Sequence, residues 1–301
     1  EIHQQPDVIR RLVLHPHEVF ASLAAKIQSL DIKQIYIAAR GTSDNTGRYA
    51  QYLLGAQNQK IISLASPSLF TTYKQAPDLS GSLVVGISQS GKSPDIVSVV
   101  AEGKRQGALT AAITNNPVSD LAIASDFVLD LNADEEFSLA ATKTYTAQLA
   151  TIALLSAALN PSDSKRKDLL ALPQHVSDVF ALESQVASLV ERYRYMTNCL
   201  VLGRGLNYAT AFEFSIKMKE LTYTHADPYS SADFMHGPFA LVEQGTPVFL
   251  LAPGETMALD MKTMIEKVKE RGAEVIVLSD QDELLKLADR SLSLPKGVPE
   301  W

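Results

Sequence analysis

The chain is 301 residues long, 46% hydrophobic and 20% charged, which suits a globular protein with one large core or two ordinary ones and favours two domains. A net charge of −7 without a Lys/Arg cluster argues against nucleic acid or an anionic membrane surface as a partner. No apolar run approaches about 18 residues and no charged-then-apolar leader opens the sequence, so neither a membrane span nor secretion is expected and the cytoplasm is the expected location.

Along the chain, an N-terminal helical segment (1–30) precedes strand-length apolar runs that alternate with amphipathic helical stretches. The runs are 34–39, 61–65, 82–87, 109–114 and 127–131, and the longer helical stretches between them are 45–56 and 94–106. Near-continuous Val, Ile and Leu between helices predicts an α/β fold with a parallel sheet covered on both faces. An Ala/Leu-rich helix over 139–159 closes this unit. Asn160-Pro161-Ser162-Asp163 then breaks the chain before a helix over 165–196 that Pro173 interrupts.

The second half restarts the pattern. Tyr36-Ile-Ala-Ala-Arg40-Gly41-Thr42 and Leu200-Val-Leu-Gly-Arg204-Gly205-Leu206 both read as strand, Arg-Gly turn and helix, 164 residues apart from Arg40 to Arg204. Lys104-Arg-Gln-Gly-Ala108 matches Lys269-Glu-Arg-Gly-Ala273 at a spacing of 165. Two motifs in the same order at nearly equal spacing predict two doubly wound, flavodoxin-like domains in tandem, 31–160 and 161–301. The only cysteine, Cys199, excludes an intrachain disulfide and a cysteine-based zinc site, and opening an apolar run it reads as a small buried hydrophobe.

Ligands of open parallel sheets bind beyond the carboxyl ends of the strands, where strand order reverses. Two loops at strand ends are rich in hydroxyls. Arg40-Gly41-Thr42-Ser43-Asp44-Asn45 opens a helix, and Ser88-Gln89-Ser90-Gly91-Lys92-Ser93 joins the run 82–87 to the helix beginning near Pro94. Hydroxyls donate to phosphate oxygens, Gly91 lets the backbone approach, and a helix N-terminus adds unpaired N–H groups and a positive dipole end. Turns and N-caps use the same residue types, so each loop alone would be unremarkable. Neither Gly-x-Gly-x-x-Gly nor Gly-x4-Gly-Lys-Ser/Thr is present in these loops, which points away from dinucleotides and nucleoside triphosphates toward a small phosphorylated molecule.

A second constellation runs from Glu213 to Pro238. Glu213, Lys217 and Glu220 share one helix face, an arrangement that an exposed salt-bridge stripe would also give. Ala211, Phe212, Phe214, Ile216, Met218 and Leu221 make the other faces apolar, so the helix is expected to be mostly enclosed. A carboxylate enclosed beside an ammonium is costly unless paired or used, and Glu220 is the candidate general base. His236, before Gly237-Pro238, is either a turn histidine or a catalytic one. His225 reads as structural, and His3, His15, His17 and His175 have no clustered partners to suggest a metal.

Ser-Gln-Ser-Gly (88–91), Ala-Thr-Lys-Thr-Tyr-Thr-Ala-Gln-Leu (141–149), Leu-Gly-Arg-Gly (202–205) and Glu-x3-Lys-x-Lys-Glu-x4-His-Ala-Asp-x-Tyr-x6-His-Gly-Pro (213–238) together resemble the isomerase part of the glucosamine-6-phosphate synthase family, a tandem pair of sugar isomerase (SIS) domains. The opening Glu1-Ile-His-Gln-Gln-Pro6 resembles the segment just before the first SIS domain. The resemblance implies that Thr42, Ser43, Ser88, Gln89, Ser90 and Ser93 bind the phosphate of a hexose 6-phosphate. It implies that Glu220 carries a proton between sugar C1 and C2, that Lys217 and Glu213 assist at the reacting hydroxyls, and that His236 helps to open the ring. It also implies a homodimer in which His236 is offered across the interface, and no metal or organic cofactor.

Three departures qualify these implications. The 301 residues include no counterpart of the family's glutaminase domain, and their one thiol, Cys199, starts a strand, so amide transfer from glutamine is not expected of them. Ala141 stands where the family has a serine near the phosphate. The sequence ends at Trp301, short of the family's terminal segment with its substrate-contacting lysine, and a tail beyond it is expected. The leading expectation is therefore a deaminase/isomerase that converts glucosamine 6-phosphate and water to fructose 6-phosphate and ammonia. The alternatives are a fructosamine-6-phosphate deglycase with the same acid/base set and a sugar-phosphate sensor without chemistry.

Overall fold

The apolar runs of the first half form five parallel strands in the computed structural model, which describes residues 1–15 and 18–301; His17 lies outside the described residues. The chain divides into two units, Glu1–Pro173 and Gln174–Trp301.

In the first unit, helices α1 (Gln5–Leu14) and α2 (Glu18–Ser29) lead into β1 (Gln34–Ala38), α3 (Thr42–Asn58), β2 (Ile61–Leu64) and α4 (Ser68–Thr71). Then come β3 (Leu83–Ile87), α5 (Pro94–Arg105), β4 (Leu109–Thr114), α6 (Asp120–Ala124), β5 (Phe127–Asp130) and α7 (Lys143–Leu159). The sheet order is β2-β1-β3-β4-β5, all parallel. Strands β3 and β4 are buried at every position, as residues covered by helices on both faces must be. The order reverses between β1 and β3, where Ala38 pairs with Gly86, so the loops leaving these two strands lie side by side.

Helix α7 begins at Lys143, four residues later than the composition suggests. The Glu136 carboxylate explains the delay, because it accepts the Thr142 N–H at 2.7 Å and the Thr142 and Thr144 hydroxyls and so caps the helix from outside it. Helix α8 (Asp163–Val179) runs through Pro173, and the division between the units falls inside it; the helical path breaks only at a 3-10 turn, Phe180–Leu182.

The second unit contains α9 (Glu183–Tyr193), β6 (Asn198–Gly203), α10 (Leu206–Thr222), β7 (His225–Ser230), α11 (Ser231–Phe234), β8 (Pro247–Leu251), α12 (Ala258–Glu270), β9 (Glu274–Ser279), α13 (Asp282–Leu285) and β10 (Arg290–Ser293). Its parallel sheet is ordered β7-β6-β8-β9-β10, the same topology as the first. The repeat extends to detail. Gly41 and Gly205 precede α3 and α10 with φ near +53° and +60°, a left-handed conformation that glycine adopts without strain. Arg40 pairs with Asp95 at 2.8 Å and Arg204 with Asp260 at 3.3 Å; Lys104 pairs with Asp126 and Lys269 with Asp289, both at 3.1 Å. Each unit thus ties its first strand's loop to the helix after its third strand in sequence.

Candidate active site

At the carboxyl edge of the first sheet, Thr42 and Ser43 open α3 immediately after β1, and Ser88–Ser93 connects β3 to α5. The Arg40–Asp95 pair clips the two loops together and places a guanidinium beside the one carboxylate in the first turn of α5. That matters for an anion, since an unpaired Asp95 would repel it.

The hydroxyls of this edge have a common feature. The Gln148 side chain donates to Ser43 Oγ at 3.1 Å, the Gly91 N–H to Ser88 Oγ at 3.2 Å and the Lys92 N–H to Ser90 Oγ at 3.3 Å. A serine oxygen that already accepts an N–H retains its own proton to give. Ser93 occupies the N-cap of α5 without a side-chain capping bond, and its carbonyl receives the Ile96 and Val97 N–H groups. The Gln89 carbonyl is fixed by the Asn115 N–H at 3.0 Å and the Thr114 hydroxyl at 3.3 Å. Burial pushes the Asp44 carboxyl above the usual carboxylate range, against the pull of Arg48 and Arg40.

The equivalent loop of the second unit has kept the fold and lost this chemistry. Ser88 N–H donates to Ile113 O, and at the matching place Ala252 N–H donates to Leu278 O. The loop then continues as Pro253-Gly254-Glu255-Thr256-Met257, with the Gly254 N–H committed to Asp280, and Leu206-Asn207 stand where Thr42-Ser43 stand in the first unit. The hydroxyl-lined edge therefore belongs to one repeat.

In the second unit, α10 brings Glu213, Lys217 and Glu220 together. Lys217 Nζ lies 2.8 Å from Glu213 Oε1 and 3.4 Å from Glu220 Oε2. The Glu213 side chain is 8% exposed and that of Glu220 33%, so one carboxylate anchors the ammonium from inside and the other faces outward. The helix is less enclosed than its apolar composition suggests: it packs on β6 and β7 through Ala211 and through Ser215, whose hydroxyl donates to Ala226 O, and Leu221 at its last turn is 61% exposed. His236 is exposed on the turn after α11, its backbone N–H held by Asp233 O. His225, at the start of β7, donates its backbone N–H to Thr197 O.

Cys199 is buried in β6, and burial followed by the nearby Asp227 pushes its thiol up to about 12, which suits a packing role and no nucleophilic one. Among the described residues, no group of three or more His, Cys, Asp or Glu side chains is arranged to hold a metal. Gln148 lies inside one of the motifs that carry the family resemblance, yet the sequence reading assigns it no role. Its signal is nonetheless present there: a glutamine on a helix apolar all round must be buried and therefore hydrogen-bonded.

Comparison with known proteins bears on this architecture. Residues 30–158 and 196–297 each match the SIS domain family. Glutamine–fructose-6-phosphate aminotransferase (isomerizing) from Xanthomonas campestris pv. campestris is 34% identical over 306 residues, covering 96% of this chain and 50% of that protein. The chain spans about half the length of the curated relatives it matches. The solved C-terminal domain of glucosamine-fructose-6-phosphate aminotransferase from Francisella tularensis superposes with a TM-score of 0.86 at 27% identity, covering 98% of this chain and 88% of that one. Glucosamine-6-phosphate deaminase from Thermotoga maritima, 20% identical with a TM-score of 0.71 and covering 95% and 87%, shares the fold. With both halves matched and the same five-strand topology in each, the chain belongs to the SIS domain family and carries that domain twice.

Proposed function

We propose that the chain binds a hexose 6-phosphate and interconverts its aldose and ketose forms with loss of an amine, converting glucosamine 6-phosphate and water to fructose 6-phosphate and ammonia. The observation that carries this reading is the Lys217 ammonium held between two carboxylates, one buried and one facing outward. Aldose–ketose chemistry needs one base to carry a proton between adjacent carbons and a cation for the oxygen that gains negative charge. Glu220 is the base, Lys217 the cation, and Glu213 holds Lys217 in place.

The phosphate is taken by Thr42, Ser43, Ser88, Gln89, Ser90 and Ser93. His236, contributed by the second copy in a homodimer, opens the ring. Glu220 then removes the proton from C2 and returns it to C1 while a second proton passes from the amine nitrogen to the oxygen at C1, leaving an imine at C2 beside a C1 alcohol; water adds at C2 and ammonia departs, which balances the overall conversion. The name of the aminotransferase relatives supports a fructose 6-phosphate-type substrate.

The direct test incubates the purified chain with glucosamine 6-phosphate and measures fructose 6-phosphate and ammonia in equal amounts. Binding without either product would favour a sensor of sugar phosphates, and turnover only of amino-acid adducts of fructose 6-phosphate would favour a deglycase. Replacing Ser88 and Ser90 together by alanine is expected to weaken fructose 6-phosphate binding by about tenfold or more, because two donors to a charged group are lost. Calorimetric titration reads the change, and unaltered affinity would move the phosphate elsewhere.

A further inference from the structure

We infer that Gln148, through a buried relay from Thr46, is a positioning residue that fixes Ser43 as a hydrogen-bond donor to the substrate phosphate. The inference rests on the reading that Ser43 belongs to the phosphate site, and deepens it.

Three side chains from two helices form the relay. Thr46 Oγ1 on α3 donates to Gln148 Oε1 on α7 at 3.0 Å, and Gln148 Nε2 donates to Ser43 Oγ at 3.1 Å. Thr46 and Gln148 are sealed from solvent, at 0% and 1% exposure, whereas Ser43 is half-buried at the start of α3. A carboxamide has one accepting and one donating end. Once the Thr46 hydroxyl occupies the oxygen, only the NH₂ end can face Ser43. Ser43 then spends a lone pair inward, and its own proton must find an acceptor outward.

The direction of the chain has a chemical consequence. A hydroxyl free to rotate offers an incoming ligand either a proton or a lone pair, and some of its freedom is lost on binding. With the inward direction decided in advance, Ser43 meets an acceptor-only group such as a phosphate oxygen with its proton already aimed. Ser88 and Ser90 are set the same way by backbone N–H groups, which any sequence would supply. Ser43 stands at the first turn of a helix and takes its inward partner from a neighbouring helix instead, so here the setting depends on a side chain that mutation can reverse.

Three substitutions test the relay, read by calorimetric titration with fructose 6-phosphate and by thermal melting. Gln148→Glu keeps length and shape but replaces the donating end by an acceptor, turning the Ser43 proton inward; affinity is expected to fall by about tenfold or more. Gln148→Met removes the partner without reversing it and should cost less. Thr46→Val, at a position closed to any ligand, frees the amide to rotate and should also weaken binding while the protein still melts cooperatively.

Each variant is repeated with Ser43→Ala. If the relay acts through Ser43, no variant weakens binding further in that background, as a double-mutant cycle requires of residues acting in series. Ser43→Ala weakening binding while the Gln148 and Thr46 variants bind as the parent would overturn the relay alone. Losses that persist unchanged in the Ser43→Ala background would make Gln148 merely structural and overturn it too. Ser43→Ala without effect would remove Ser43 from the phosphate site and overturn both this inference and that part of the functional reading.

Discussion

Glu220→Gln is expected to lower turnover of glucosamine 6-phosphate by roughly 10²–10⁴-fold while leaving fructose 6-phosphate affinity near that of the parent chain, the usual size of effect when a general acid–base is removed. The amide keeps the shape of the carboxylate but cannot take a proton. The geometry favours a clean result. Lys217 keeps its closer partner, Glu213 at 2.8 Å, so losing the contact at 3.4 Å strands no buried charge. Glu220 is partly exposed, and an ion pair there contributes little to stability. Melting should therefore stay within about 1–2 °C while turnover collapses. Stopped assays for fructose 6-phosphate together with calorimetric titration separate the two effects. Turnover that survives the substitution would place the base on another residue and dissolve the proposed role of the α10 trio.

The fold was largely legible because its determinants are local and periodic. Apolar runs such as 82–87 and 109–114 are near-continuous in the sequence for the same reason that β3 and β4 are buried at every position: a parallel sheet has no wet face. The tandem repeat was legible from Arg40-Gly41 and Arg204-Gly205, because the turn into each helix demands a left-handed residue that glycine meets cheaply. The features that could not be read depend on how side chains fold back or meet once the chain is packed. The late start of α7 depends on a carboxylate six residues upstream of Thr142 folding back onto it, which no propensity anticipates. The partial exposure of α10 depends on which of its faces β6 and β7 cover, and an all-round apolar composition hides that choice. At the candidate site the residue types were visible, but the directions of the hydrogen bonds were not: whether Ser43 donates or accepts is decided by Gln148, 105 residues away in the chain.

Gly91→Ala is expected to damage stability and ligand affinity together, because this position is pinned from both sides. Its φ is +64°, a conformation that costs an L-residue about 1 kcal/mol. A β-carbon there would also lie 2.0 Å from Ser119 Oγ, 2.5 Å from Ser119 Cβ and 2.9 Å from Thr114 Oγ1, and both side chains are buried. The loop cannot simply lift away, since Gly91 N–H is bonded to Ser88 and its carbonyl receives the Leu121 N–H at 3.0 Å. Overpacking at such a site adds about 1–3 kcal/mol, for a total of roughly 2–4 kcal/mol and a fall in melting temperature of about 5–12 °C. Whatever shift accommodates the methyl group moves Ser88 and Ser90, so fructose 6-phosphate should bind about tenfold more weakly or worse. Ser119→Gly removes the nearest colliding atoms and, used as the reference background, should return a large part of both losses, leaving the backbone penalty and the remaining contact with Thr114. Melting curves and titrations on the four proteins of this cycle decide the matter. A Gly91→Ala protein that melts and binds like its parent would mean that the Ser88–Ser93 loop is not held in this conformation, and a phosphate cradle could not be built on it.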